Sequence, residues 1–184
     1  MEALQLEQDL WKEIGRATVD RRHPWRYPTL ATQTAEGPEQ RTLVLRDYQL
    51  DRKMLVFFTD YRSTKVGEIR QYPSASVHLY HPKKQRQARL KVQVIIHHQN
   101  ETCAEYLARI PKEQRKDYQS ISAPGAVFEA NGWDEDSAVE NFCVLELKVQ
   151  EVDYLQLRRE QGHLRFRYRY DAEGNLTEAL QLQA

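Results

Sequence analysis

Arg41, Ser63 and Lys65 are residues of the types that together hold an anion. Arg41 opens the run Arg41-Thr42-Leu43-Val44-Leu45-Arg46. Ser63 and Lys65 follow the strand-like Val56-Phe57-Phe58-Thr59 where a helix begins. A guanidinium offers a phosphate two parallel hydrogen bonds, a lysine adds a point charge, and the N–H groups of a helix start favour negative charge. Arginines at both ends of an apolar strand must also find a partner or water once the strand packs. The bland alternative is a solvated strand end followed by an ordinary N-cap.

Other chemistry is weaker. His78-x-x-His81 and His97-His98 could suggest a metal or haem, but strand residues an odd number apart face opposite sides, so no metal site is expected. Cys103 and Cys143 are too few for a disulfide framework or a zinc site and read as small buried hydrophobes. Arg165-Phe166-Arg167-Tyr168-Arg169-Tyr170 alternates as a strand with arginines on one face and aromatics in the core, in preference to a nucleic-acid surface. Trp11, Trp25 and Trp133 read as packing residues. No side chain stands out as a catalytic base.

The elements that must position these groups follow from periodicity. Leu6, Leu10, Ile14 and Ala17 give one apolar helix face over about residues 3–20, stopped before Pro24. Strands are expected at 28–34, 41–48, 53–59, 75–81 and 89–97, and at 142–152, 163–170 and 176–182 near the C-terminus. A short helix should follow Ser63, and a longer one, broken at Pro111, should run over 100–120. Residues 1–184 are expected to form a single domain of the α+β, mainly β class: a closed or partly closed barrel with peripheral helices.

The 184 residues carry 27 basic and 27 acidic side chains, so no whole-chain charge draws nucleic acid or an anionic membrane. No apolar run is long enough to span a bilayer and no leader is visible, which makes a cytoplasmic setting the expectation.

The motifs resemble the FMN-binding split-barrel superfamily of pyridoxamine 5′-phosphate oxidase and its relatives. Arg41–Arg46 is similar to the family's Arg-x-Val-Leu-Leu-Lys strand, and Phe57-Phe58-Thr59-Asp60-Tyr61-Arg62-Ser63-Thr64-Lys65 to its Phe-Tyr-Thr-Asn-x-x-Ser-x-Lys loop. Arg86-Gln87, Tyr106–Pro111 and His163-Leu164-Arg165-Phe166 look like its later motifs. The likeness runs over roughly residues 28–182 and looks nearest to an uncharacterised cyanobacterial and plant branch.

This resemblance implies a six-stranded split β-barrel, a homodimer with FMN at the interface, and a flavin-dependent redox reaction on a small molecule. It further implies that Arg41 and Lys65 hold the FMN phosphate with help from Ser63. Leu43, Val44, Leu45, Phe58 and Thr59 would lie against the flavin ring or offer it main-chain hydrogen bonds, Gln87 would meet its polar edge, and Arg165 would reach it from the second chain. Arg46, Tyr106 and His163 would face substrate. The alternatives are a non-catalytic flavin carrier or sensor and, more distantly, a haem-binding barrel. Some positions depart from the pattern: Thr64 and Gln161 stand where the family has arginine, Arg46 replaces a lysine, and Arg109 is displaced by one residue. Poor or absent oxidation of pyridoxamine 5′-phosphate is therefore expected.

Overall fold

The computed structural model describes residues 2–127, 132–134, 136–158, 160 and 162–184. Helix α1 (Glu2–Val19) lays Leu6, Leu10, Trp11, Ile14 and Ala17 against the barrel. It approaches so closely that a side chain at Gly15 would meet the Tyr48 ring, 2.6 Å from its hydroxyl. Trp11 Nε1 donates to Tyr170 Oη (2.9 Å), Tyr170 donates to Glu7 (2.9 Å), and Lys53 pairs with the same Glu7 carboxylate at 3.1 Å. A 3-10 turn, Pro24–Arg26, follows, with Trp25 buried.

Nine antiparallel strands form one sheet: β1 (Thr29–Thr34), β2 (Gly37–Thr42), β3 (Leu45–Gln49), β4 (Met54–Asp60), β5 (Ser74–His81), β6 (Arg86–His98), β7 (Phe142–Gln156), β8 (Leu164–Tyr170) and β9 (Leu176–Leu182). Helices α2 (Thr64–Gln71), α3 (Glu101–Arg109) and α4 (Ser137–Asn141) lie between them, with a 3-10 helix at Lys112–Tyr118. The mainly β class with peripheral helices holds, and among the described residues nine strands stand where periodicity gives eight.

The run expected as one strand over 41–48 is two. β2 pairs with β1, β3 pairs with β4, and the order is β2-β1-β5-β6-β7-β4-β3. Thr42 and Leu45 are three residues apart, a reach of about 11 Å at most. The two ends of that order must therefore meet, and Leu43-Val44 is the seam that closes the barrel. Leu43 N–H donates to Pro28 O (3.0 Å) there. Both residues are good strand formers, so local propensity gives no warning of the break.

β7 makes the split. Its first half, Phe142–Lys148, pairs with β4, and its second, Glu151–Gln156, pairs with β8, while β6 runs along both. The core is likewise two clusters. Leu55 and Phe57 of β4 point into the barrel, and Val56 and Phe58 point to the other face, against Tyr106, Tyr118 and Phe142.

Candidate functional site

Arg41 and Lys65 do converge. Lys65 Nζ donates to Thr59 Oγ1 (3.0 Å), whose hydroxyl lies 3.3 Å from Ser63 Oγ. Arg41 Nη1 donates to Thr32 Oγ1 and to Glu39 O, and Nη2 pairs with Glu68 Oε2 at 2.8 Å. Burial pushes the Lys65 ammonium below the usual lysine range, and the nearby Arg41 charge pushes it the same way, against Asp60, Glu68 and Cys143. Two cations held together, with hydroxyls between β4 and α2, form a donor set that fits a phosphate.

Ser63 occupies the N-cap position of α2, but its hydroxyl donates to Asp60 O (2.7 Å) and makes no cap bond. The loop before it is locked by Arg62, which holds both Asp60 oxygens (3.0 and 2.7 Å) and the carbonyls of Ser120 and Ile121. That clamp fixes where Ser63 and Lys65 begin. Leu43 packs on the core edge and Leu45 is fully buried, paired to Phe57. The Leu45 side chain is therefore turned inward, which leaves its main chain as the part that could meet a flavin.

On the opposite face of β4, a cavity of about 250 Å³ is lined by Arg26, Arg46, Asp47, Phe58, Tyr106, Arg109, Ile110, Pro111, Gln114 and Tyr118. Arg46 lies 5.7 Å over the Phe58 ring, and Tyr106 Oη donates to Asp47 Oδ2 (3.3 Å). Adjacent strand residues normally face opposite ways. Here Leu45 pairs with Phe57 and Asp47 with Val56, leaving Arg46 as the extra residue of a β-bulge. The bulge re-aims Arg46, so it and Asp47 both line the cavity.

Burial holds the Tyr106 phenol above its usual range, with Asp47 adding to the shift. Tyr118 is pushed up to about 12 by burial, against the Arg46 charge. Arg109, displaced by one residue from the family pattern, still lines the cavity, lying 5.3 Å over the ring of Tyr106, three residues earlier.

The remaining expected residues lie elsewhere in the chain. Gln87 pairs with Leu155, and Leu155 with Arg165, so these form one row across β6, β7 and β8. Their neighbours Ala88, Tyr154 and Phe166 are buried, which puts the row on the outer face. Arg165 forks onto Asp153 (3.0 and 2.8 Å). His163 Nδ1 accepts from Arg158 N–H (3.2 Å) and does not line the cavity. Gln161 lies outside the described residues.

Burial bears out the opposed faces of His78 and His81: the first is exposed, the second buried. Trp133 is exposed rather than packed. Sequence reasoning missed Arg26, Asp47, Tyr118 and Glu68. It also missed a buried trio, Glu13, His23 and His81, whose ligand-type atoms lie within 4.8 Å of one another. The Nδ1 atoms of both rings accept backbone N–H groups, from Trp25 (3.2 Å) and Lys84 (3.3 Å), which leaves the proton of the neutral ring on Nε2. The Lys84 ammonium also sits 2.7 Å from the Glu13 carboxylate. This trio is a clamp between α1 and the barrel rather than an open ligand set.

Residues 8–98 match the family model of the pyridoxamine 5′-phosphate oxidase FMN-binding domain. A pyridoxine/pyridoxamine 5′-phosphate oxidase of Chromohalobacter salexigens is 43% identical over 67 residues, 36% of this chain and 30% of that protein. One of Nostoc punctiforme is 27% identical over 124 residues, 67% and 51% of the two chains. The chain thus aligns with about half or less of these relatives' length. A solved pyridoxamine 5′-phosphate oxidase-related, FMN-binding protein of Nostoc punctiforme superposes with TM-score 0.74 at 25% identity, covering 96% of each chain. PhzG of Burkholderia lata, solved with tetrahydrophenazine-1-carboxylic acid, shares the fold at TM-score 0.72 and 21% identity, over 96% of this chain and 91% of that one. Over residues 8–98 the chain matches the pyridoxamine 5′-phosphate oxidase FMN-binding domain, and over nearly its whole length it has the fold of the solved FMN-binding relative.

Proposed function

We propose that this chain is a flavoprotein that binds FMN by its phosphate and catalyses a redox reaction on a small anionic substrate. The carrying observation is that Arg41 and Lys65 flank one seat, Arg41 bound to Thr32 and Glu68, Lys65 bound to Thr59, with the Arg41 charge acting on the Lys65 ammonium. When bound, the flavin supplies the two-electron chemistry, and the protein supplies position and charge. Arg41 and Lys65 hold the phosphate, and the hydroxyls of Thr59 and Ser63 lie within reach of it. Arg46, Arg26 and Arg109 draw an anionic group into the aromatic cavity, where Phe58 and Tyr106 offer flat faces to a ring. Tyr106, already donating to Asp47, turns its oxygen lone pairs to substrate as an acceptor.

A second copy of the chain completes the arrangement in this reading. Two features support it: Gln87 and Arg165 share an outer row, and the cavity and the phosphate seat occupy opposite faces of β4. PhzG, solved with tetrahydrophenazine-1-carboxylic acid, is a case of a ring carboxylate bound on this fold, and an anionic ring of that kind suits the cavity's arginines.

The purified protein should show the visible absorption of an oxidised flavin and bind FMN more tightly than riboflavin. Equal affinity for the two refutes the phosphate clamp. Sedimentation should give a dimer at micromolar concentration, and a flavin-loaded monomer refutes the shared site. A loaded protein that turns over no ring carboxylate or phosphate would favour the carrier or sensor reading.

A further inference from the structure

Glu68 projects from α2 into the same seat. Its Oε2 accepts from Thr32 Oγ1 and lies 2.8 Å from Arg41 Nη2, and its side chain is 14% exposed. One carboxylate oxygen therefore occupies a position that an oxygen of a bound anion would take on the Arg41 fork. Two positive charges and one negative leave the seat a single net charge, while a phosphate monoester carries about −1.5 to −2 at neutral pH. At this burial water screens the pair only partly, so the carboxylate and an incoming phosphate repel each other at short range. The Thr32 hydroxyl ties Glu68 to β1 and keeps it on the fork.

We propose that Glu68 is an internal competitor for the cofactor phosphate, a specificity-determining carboxylate that must leave Arg41 before a phosphate monoester can seat. The inference rests on the FMN reading above and sets its strength: the seat favours anions of low charge and holds FMN below the affinity that Arg41 and Lys65 alone would give.

Fluorescence titration of the whole chain with FMN and with riboflavin, wild type beside Glu68→Gln, tests this. Glutamine keeps the size and a carbonyl acceptor for Thr32 and Arg41 but removes the charge. FMN should bind Glu68→Gln at least about tenfold more tightly, as expected for removing a charge-assisted competitor, while riboflavin shifts less than about twofold. In an Arg41→Ala background the gain should largely disappear, since Glu68 then has no fork to compete for. Equal FMN affinity in the two chains overturns the proposal. So does weaker binding by the variant, which would make Glu68 a strut that positions Arg41. If both chains bind FMN no better than riboflavin, the phosphate reading itself has failed, and the inference falls with it.

Discussion

The seat around Arg41 and the cavity around Arg46 are both cationic, but they are built differently. In the seat, Arg41 is answered by Glu68 and Thr32, Lys65 by Thr59, and the approach loop is pinned by the fork of Arg62 on Asp60. In the cavity, Arg46 lies over Phe58 with the Tyr118 hydroxyl beside it, Arg109 lies over Tyr106, and Arg26 is tied to the carbonyls of Ala17 and Thr18. Arg109 has a further, loose partner in Glu105 at 3.8 Å. A guanidinium held by its face keeps its N–H edges available, whereas one held by its edges must first be released. The cavity is thus ready for an anion, and the seat has to exchange one for another.

The largest effect that would break this contrast is Arg41→Ala with Lys65→Ala. Each charge-assisted contact is worth about 1.5–3 kcal/mol, so FMN affinity should fall by two orders of magnitude or more while riboflavin changes little. An equal loss for both ligands would mean the pair supports the fold rather than the phosphate.

Next is Arg46→Ala, read by binding of pyridoxal 5′-phosphate as an anionic ring probe. A loss of about 1.5–3 kcal/mol is expected, with FMN affinity held. Parallel losses of probe and FMN would erase the distinction between the two regions.

A pH series separates them further. Lys65 must be protonated to hold a phosphate, and burial with the Arg41 charge lowers its pKa. FMN affinity should therefore decline on the alkaline side at a lower pH than an ordinary lysine would dictate, and Lys65→Arg should move the decline upward. Probe binding in the cavity, which depends on guanidinium groups, should stay level over that interval. The smallest effect is that of Tyr106→Phe, which removes one 3.3 Å hydrogen bond to Asp47. It should cost the probe about 0.5–1.5 kcal/mol and leave FMN untouched.

What the sequence could show divides along the same line. Arg41, Ser63 and Lys65 were legible because residue type and a strand-to-helix change mark an anion seat, and the strand at 176–182 was legible because its turn, Asp171 to Asn175, is written in the residues. Glu68 was not legible: it follows the buried Val66 by two residues on a polar stretch of α2, and only the packing of α2 on β1 and β2 sets it against Arg41. Asp47 and Arg46 side by side in one cavity contradict strand alternation and required the bulge, for which the residues give no local sign. The place of Arg109 in the cavity follows from its packing on Tyr106, which motif register does not show.

β7 carries a consequence for how the chain is made. It is the strand between β6 and β4, yet β6 ends at His98 and β7 begins at Phe142. During synthesis from the N-terminus, β4 and β6 each wait with an open edge while the 43 residues 99–141 emerge. At about 5–20 residues per second, that is an interval of a few seconds, long against the microseconds in which a hairpin forms. In that interval two apolar strands, Met54–Asp60 and Arg86–His98, can pair wrongly with each other or with a neighbouring nascent chain. A ribosome-bound chain stopped near residue 130 should be the most aggregation-prone and the most dependent on chaperones, and resumed synthesis should restore it only once Phe142 to Lys148 has emerged to slide between the two edges.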